Sequence, residues 1–411
     1  MMIWLLFVSL FATSQELNFD QAVRTMTENN VTYQTAKANL ATADVQVLAA
    51  RGLFTPTLAL TAAQQNGTPG QPPFNFPSSQ VYAATATWNL FRSGADFAAL
   101  DAAAINRAGL RAAFDSASLV AETQAVTAAL GLIQSKLAVE AYRRSEEEAK
   151  KFLSIAQERY KKSLMAMEEM DKIAVDASNA EAVRADAETT FNTNRTAVES
   201  LLGHSNIKMD WPWLAKINAN AGEKLLGEFS RRQIEGIPDY KSSAAALNSQ
   251  ESKRRSLFRN MFPTVDFSFS QQDLHATGVD TTGWTSVATL TIPLWNGYKD
   301  YSAYRAQVES AHVAETKFRQ TQREVESVAK TAQSNYKLAL DQYKTRQKNL
   351  ERARHILDQD LNRFRIGRAD ANQLNVDLAR VTTAEISAVQ GIQNAHLAYM
   401  NLLHAFGQRV E

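Results

Sequence analysis

The stretch Tyr82-Ala83-Ala84-Thr85-Ala86-Thr87-Trp88-Asn89-Leu90-Phe91-Arg92-Ser93-Gly94 decides the fold. Its first nine residues alternate strictly. Tyr82, Ala84, Ala86, Trp88 and Leu90 fall on one side, and Ala83, Thr85, Thr87 and Asn89 on the other. Successive side chains of a strand leave on opposite faces, so this is a strand with one apolar and one small polar face. After Gly94 the alternation stops. No proline lies between Ser78 and Trp211, and glycine is rare there. Proline costs roughly 3 kcal/mol inside a helix and glycine about 1, so their exclusion predicts a very long helix over Ala95–Lys162.

The passage occurs twice. Leu90-Phe91-Arg92-Ser93-Gly94 recurs as Leu294-Trp295-Asn296-Gly297, 204 residues on. Phe54-Thr55-Pro56-Thr57-Leu58 recurs as Met261-Phe262-Pro263-Thr264-Val265, and Arg159-Tyr160-Lys161-Lys162-Ser163 as Arg363-Phe364-Arg365-Ile366-Gly367, at offsets of 207 and 204. Three matches in one order indicate a duplication. Each copy reads helix, strand, loop, strand, very long helix, tight turn, long helix: mainly α with a small β part. Strands are expected at about 53–64, 81–91, 262–271 and 284–295, with Gln64–Gln80 and Gln271–Gly283 as exposed loops. Helical hairpins are expected at about 95–203 and 298–406. No proline follows Pro293, so Tyr298–Ile366 matches the first long helix. At about 1.5 Å per residue each reaches roughly 100 Å, which calls for an elongated molecule.

Composition excludes much else. With 16 Gly and 9 Pro in 411 residues the chain is no loop-rich or all-β protein, and 45% hydrophobic residues exclude disorder. Forty-four Lys and Arg against 43 Asp and Glu leave no charge excess for nucleic acid. The absence of cysteine removes thiol chemistry, cysteine-based metal sites, disulfides and a lipoprotein anchor. The six histidines, His204, His275, His312, His355, His396 and His404, are scattered, and only the last two approach a common helical face. No phosphate-binding glycine loop and no Gly-x-Ser-x-Gly turn occurs. The expectation is therefore no enzyme, no cofactor and no metal. Met1–Ser14 reads as a short signal peptide, with an apolar run from Ile3 to Phe11 and small residues after it, although no Lys or Arg precedes the run. No other segment reads as a transmembrane helix.

Strands of about ten residues with one apolar face suit an outer-membrane barrel, and equally a half-buried sheet in a soluble domain. Closure separates the two readings. One chain supplies four strands, the smallest single-chain barrels have eight, and lipid tolerates no open edge. Strands that span a membrane here must come from several chains. The return helices carry heptads: Leu374, Val381, Ala388, Ala395, Leu402 in one copy, and Met170, Ala177, Arg184, Phe191, Val198 in the other. These are coiled-coil seams. Their small and polar members suit a wall of many helices wetted on both sides.

In its duplicated plan, strand starts, strand ends and Arg-aromatic turns, the chain from about Leu17 to Gly407 resembles the TolC-type outer membrane efflux family. The resemblance implies a homotrimer in outer-membrane lipid. Its 12-stranded β-barrel would continue into an α-helical barrel in the periplasm. Residues 15–205 and 239–407 would be the two repeats, and 206–238, with Trp211-Pro212-Trp213, an equatorial linker. The implied role is a passive exit duct of a tripartite efflux pump or type I secretion system. Its partners would be a periplasmic adaptor and an inner-membrane transporter. The alternative is a secreted or periplasmic coiled-coil scaffold without a pore.

The resemblance also implies that the hairpin tips close the tunnel and meet the adaptor. The tip pattern is Arg, an aromatic, two residues, then Gly, with an acid six residues later. Arg363, Phe364 and Gly367 fit, but position 373 is Gln. In the first copy Arg159 and Tyr160 fit, and Ser163 replaces the glycine. Acids follow at Glu168, Glu169 and Asp171, and at Asp370 and Asp377 in the second copy. Threefold rings of these acids would favour cations; the alternative is solvated helix starts complementing the dipole. Arg159 and Arg363 are expected to pair with such acids across neighbouring hairpins, so that opening requires an adaptor to offset those pairs.

Overall fold

The computed structural model describes residues 18–66, 78–204, 226, 231–276, 279–365 and 371–409. The signal-like segment and most of the linker expected at 206–238 lie outside the described residues. In chain order the elements are α1 (Phe19–Asn29), α2 (Val31–Gly52), β1 (Thr57–Asn66), β2 (Ser78–Phe91), α3 (Ala95–Lys161), α4 (Met167–Leu202), α5 (Arg231–Gly236), α6 (Pro238–Arg259), β3 (Thr264–Ala276), β4 (Val279–Thr291), α7 (Lys299–Arg365) and α8 (Ala371–Ala405). The long helices α3 and α7 each have 67 residues. Both their ends are 204 residues apart, the offset of the sequence motifs. Two compact units emerge, Ala36–Asp115 with Pro238–Glu324, and the remainder. Each draws on both repeats, so the units of packing are not the units of duplication.

The first unit contains one antiparallel sheet in the order β1-β2-β3-β4. Up to a register shift between Asn89 and Phe91, the alternation stays in phase across all four strands: Leu58 faces Ala86, Ala86 faces Phe269, and Phe269 faces Ser286. Residues directly opposite share a face, so the apolar sets read from each strand form one surface. The segment Gln271–Gly283 is not a loop. β3 and β4 stay paired out to Ala276 and Val279, because continued backbone pairing satisfies groups that a loop would leave to water. At its other end β4 stops at Thr291 rather than 295, two residues before Pro293, which has no N–H for the ladder.

Helices α3 and α6 pack through small residues. A Cβ on Gly109 would lie 2.9 Å from that of Ala245. The buried Ser249 donates its hydroxyl to the Ala102 carbonyl at 2.9 Å, and Ser256 donates to the Ala95 carbonyl at 2.9 Å. The turn from strand to long helix takes two successive left-handed residues in each copy, Ser93 and Gly94, then Gly297 and Tyr298. Each copy therefore places one non-glycine residue at positive φ, at a different step of the turn.

The second unit holds α4 and α8 with the parts of α3 and α7 that pair with them, from Ser116 and Val325 onward. Phe19, Ala22 and Met26 of α1 pack with Ala129, Leu130 and Ile133 of α3 and with Val198 and Leu202 of α4. Leu374, Val381, Ala388, Ala395 and Leu402 are all buried, as the heptad spacing predicts. In the first copy the seam runs through Ile173, Ala177, Ala187, Val198 and Leu202. Helix α3 does contain an 18-residue stretch apolar enough to cross a bilayer, which the sequence reading passed over. Half of that stretch is buried inside the fold, so packing accounts for its apolar character.

Candidate functional site: the sheet face and the hairpin ends

The sheet exposes what a soluble domain would cover. Leu58 and Leu60 are 83% and 88% exposed, and Trp284 and Leu290 70% and 63%. All four lie on the apolar face. Strands β1 and β4 each have one edge without a partner among the described residues. Aromatic residues gather at both ends of the face. Phe269 stacks on Trp284, and Tyr82 meets His275, toward the β3–β4 turn. At the helical end Trp88 donates its indole N–H to the Phe54 carbonyl at 3.0 Å, and Trp295 packs edge-on against Tyr298. Apolar bands flanked by aromatic girdles are the surface chemistry of barrels in lipid.

The α3–α4 end is built around Ser163. Its N–H reaches the Tyr160 carbonyl at 2.8 Å, and the Leu164 N–H reaches that of Arg159 at 2.9 Å. This paired closure of a helix requires a left-handed residue. Ser163 supplies it at φ 59°, in the place where the second copy has Gly367. Glu168 pairs with Lys172 at 3.0 Å on the open surface, and Glu169 and Asp171 are exposed. Gly367 and Asp370 lie outside the described residues.

Across the hairpins the Arg159 guanidinium sits 5.2 Å from the centre of the Phe364 ring. Phe364 is itself buried among Ala156, Leu357 and Leu374. Arg363 pairs with Asp360 of its own helix at 3.2 Å. Neither arginine pairs with Glu168, Glu169, Asp171 or Asp377 among the described residues. Within the chain, the contact that Arg159 makes across the hairpins is with an aromatic face.

Asp377 also departs from expectation. It is fully buried between α7 and α8, so within this chain it faces no water-filled space. It pairs with Arg380, accepts from Gln373 and is hydrogen-bonded to Asp360. Burial, followed by the Asp360 contact, pushes its carboxyl above the ordinary range. The 204-residue offset explains the location, since Asp377 and Asp360 stand where the first copy has the buried Ile173 and Ala156.

The residues that sequence reading missed lie further along the hairpins. Glu385 of α8 accepts from Arg354 of α7 at 2.7 Å and from Arg144 of α3 at 3.0 Å. Burial works against its carboxylate, but the two guanidiniums outweigh it and hold the pKa below the ordinary range. Glu146 of α3 similarly serves Lys150 and Arg184. Lys150 is an i,i+4 neighbour of Glu146 in α3, but Arg144 with Glu385, Arg354 with Glu385 and Arg184 with Glu146 join different helices, and no local motif marks them. Among the described residues no group of three or more His, Asp or Glu is placed to hold a metal.

No protein-family model matches the sequence, and no curated protein matches it significantly. Solved structures do match in fold. The CmeC outer membrane channel of Campylobacter jejuni superposes with a TM-score of 0.80 at 14% identity, over 95% of this chain and 85% of that one. The outer membrane protein VceC of Vibrio cholerae gives 0.78 at 14% identity, over 96% and 97%. The MtrE outer membrane channel of Neisseria gonorrhoeae, in its open state, gives 0.71 at 16%, over 95% and 89%. Likeness at this level of identity establishes the fold.

Proposed function

We propose that this chain, which has the fold of the TolC-type outer-membrane channels, is itself an outer-membrane exit duct. The observation that carries the reading is the exposed apolar face of a four-stranded sheet open at β1 and β4. Three copies bring twelve strands. Pairing β1 of one copy with β4 of the next closes the sheet, and closure satisfies backbone groups that each cost several kcal/mol when left open in lipid. The helical hairpins then line a passage in the periplasm, wetted on both sides. Such a duct does no chemistry, so the energy comes from an inner-membrane transporter reached through a periplasmic adaptor. Tripartite efflux and type I secretion both fit this role, and the transporter selects the substrate. The hairpin ends, with Arg159, Tyr160, Ser163, Glu168, Glu169, Asp171, Arg363, Phe364, Gly367 and Asp370, are the proposed gate and adaptor-docking region, with the enclosed Asp377 behind them in the seam.

Membrane fractionation of the expressed full chain, followed by native mass spectrometry in detergent, tests the proposal. A trimer from the outer-membrane fraction is the expected outcome. A soluble monomer or dimer would favour the scaffold reading.

A further inference from the structure

The duplication lets contacts inside one chain be projected onto contacts between chains. Under the 204-residue offset shared by α3 and α7, the triad Arg144, Arg354 and Glu385 corresponds to Lys348, Lys150 and Glu181. Every position keeps its sign of charge. One half of the triad occurs in both copies: Arg354 with Glu385 at 2.7 Å, and Lys150 with Glu181 at 3.7 Å. The other half occurs once, as Arg144 of the first hairpin on Glu385 of the second at 3.0 Å. Its counterpart would join Lys348 of a second hairpin to Glu181 of a first hairpin. Within the chain these two do not meet. Lys348 is exposed and has no ion pair among the described residues, and the Glu181 side chain is 59% exposed.

We infer that Lys348 of one copy pairs with Glu181 of a neighbouring copy, at a face made by α7 and α8 of the first and α3 and α4 of the second. The inference rests on the proposed assembly of several copies into one ring. Two more contacts between the hairpins project in the same way. Asn375 donates to Asp176 at 2.6 Å, and the offset turns this α8–α4 contact into Asp171 of one copy with Arg380 of another. Arg159 over Phe364 becomes Arg363 over Tyr160. Both projections give chemically complementary partners, an acid with a base and a cation with an aromatic ring; the second follows from the Arg-aromatic motif that set the offset, while Asp171 and Arg380 played no part in finding it. Tyr160 and Arg363 are accessible for such a contact, and so is Asp171. Complementary charge also sets register and excludes wrong pairings. The seam therefore specifies which hairpin faces which around the ring.

The chain contains no cysteine, so engineered thiols are unambiguous. The test puts Lys348→Cys and Glu181→Cys into the full chain and treats the purified protein in detergent with a short bismaleimide. The expected product is a covalent trimer under denaturing conditions. Arg144→Cys with Glu385→Cys is the control and should link only within one chain. A native trimer that yields only uncrosslinked or internally linked monomer overturns the seam and leaves the duct intact. A native monomer overturns both. In a second set, Lys348→Glu and Glu181→Lys singly should each lower the temperature at which the trimer dissociates, and the double exchange should recover most of the loss. A double variant no better than the singles overturns the pairing.

Discussion

Ser163 and Asp377 both show a single position resolved differently in two copies of one plan. At Ser163 the residue is changed where the second copy has Gly367: the first hairpin closes through a left-handed step at φ 59°, and serine carries there the strain that glycine avoids. At Asp377 the burial is kept and the chemistry is changed. Two carboxyls occupy a seam position that holds Ala156 and Ile173 in the first copy. A buried acid whose folded pKa is raised contributes stability while it is protonated and loses it as pH rises through that pKa. Asp360→Ala with Asp377→Ile copies the first hairpin into the second. Replacing a buried ionic group with well-packed apolar residues is often stabilising. The double variant should gain about 1–2 kcal/mol at pH 8 and show less decline in stability as pH rises from the ordinary carboxylate range, as measured by denaturant titrations from about pH 4 to pH 8.

Among the elements, the helical hairpins depend on how closely their members approach. Gly391 of α8 lies against α7, and a Cβ there would stand 3.0 Å from Arg346 Cδ and 3.5 Å from Tyr343 Cα. Arg346 is held by its bond to the Ser387 carbonyl at 3.0 Å, so it has little room to retreat. Gly391→Ala should therefore destabilise by roughly 1 kcal/mol. Gly131 of α3 has open space around its missing Cβ, and Gly131→Ala should stabilise by about 0.5–1 kcal/mol through helix propensity. Thermal melts of both variants check the opposite signs. Nothing in their local sequence separates these two glycines. The long helices themselves were legible because proline and glycine avoidance is a local property summed over many residues. The pairing of β3 with β4 beyond Gln271 was not, because polar residues there mimic a loop and only the partner strand reveals the ladder.

For the molecule as a whole, residues near the chain's end are tied to α3 through His404 and Arg409. His404 Nδ1 lies 2.7 Å from the Thr123 hydroxyl, and Arg409 reaches Ser118 at 2.7 Å. Glu122 Oε2 stands 3.8 Å from Nε2, too far for a hydrogen bond. Burial, aided by the Arg409 charge, lowers the His404 pKa to about 4. A histidine with a depressed folded pKa leaves stability intact above its unfolded value and loses it as pH falls toward the folded one. Between about pH 6.5 and 4 the wild type should lose on the order of 2 kcal/mol, allowing for partial solvent screening. His404→Gln should flatten that slope in urea titrations across the same range.

The sequence by itself determined the long helices, the alternating strands, the duplication and, through them, the resemblance. Each is written in local periodicity or in self-comparison, which need no knowledge of what packs on what. Only the tertiary structure decided that Arg159 lies over Phe364, that Asp377 is enclosed rather than facing a pore, and that Glu385 gathers two arginines from different hairpins. Those outcomes depend on which helix faces land together, through contacts between residues far apart in the chain. The 204-residue offset bridges the two kinds of information: it was readable in the sequence, but it acquired a physical meaning only once contacts existed to be projected.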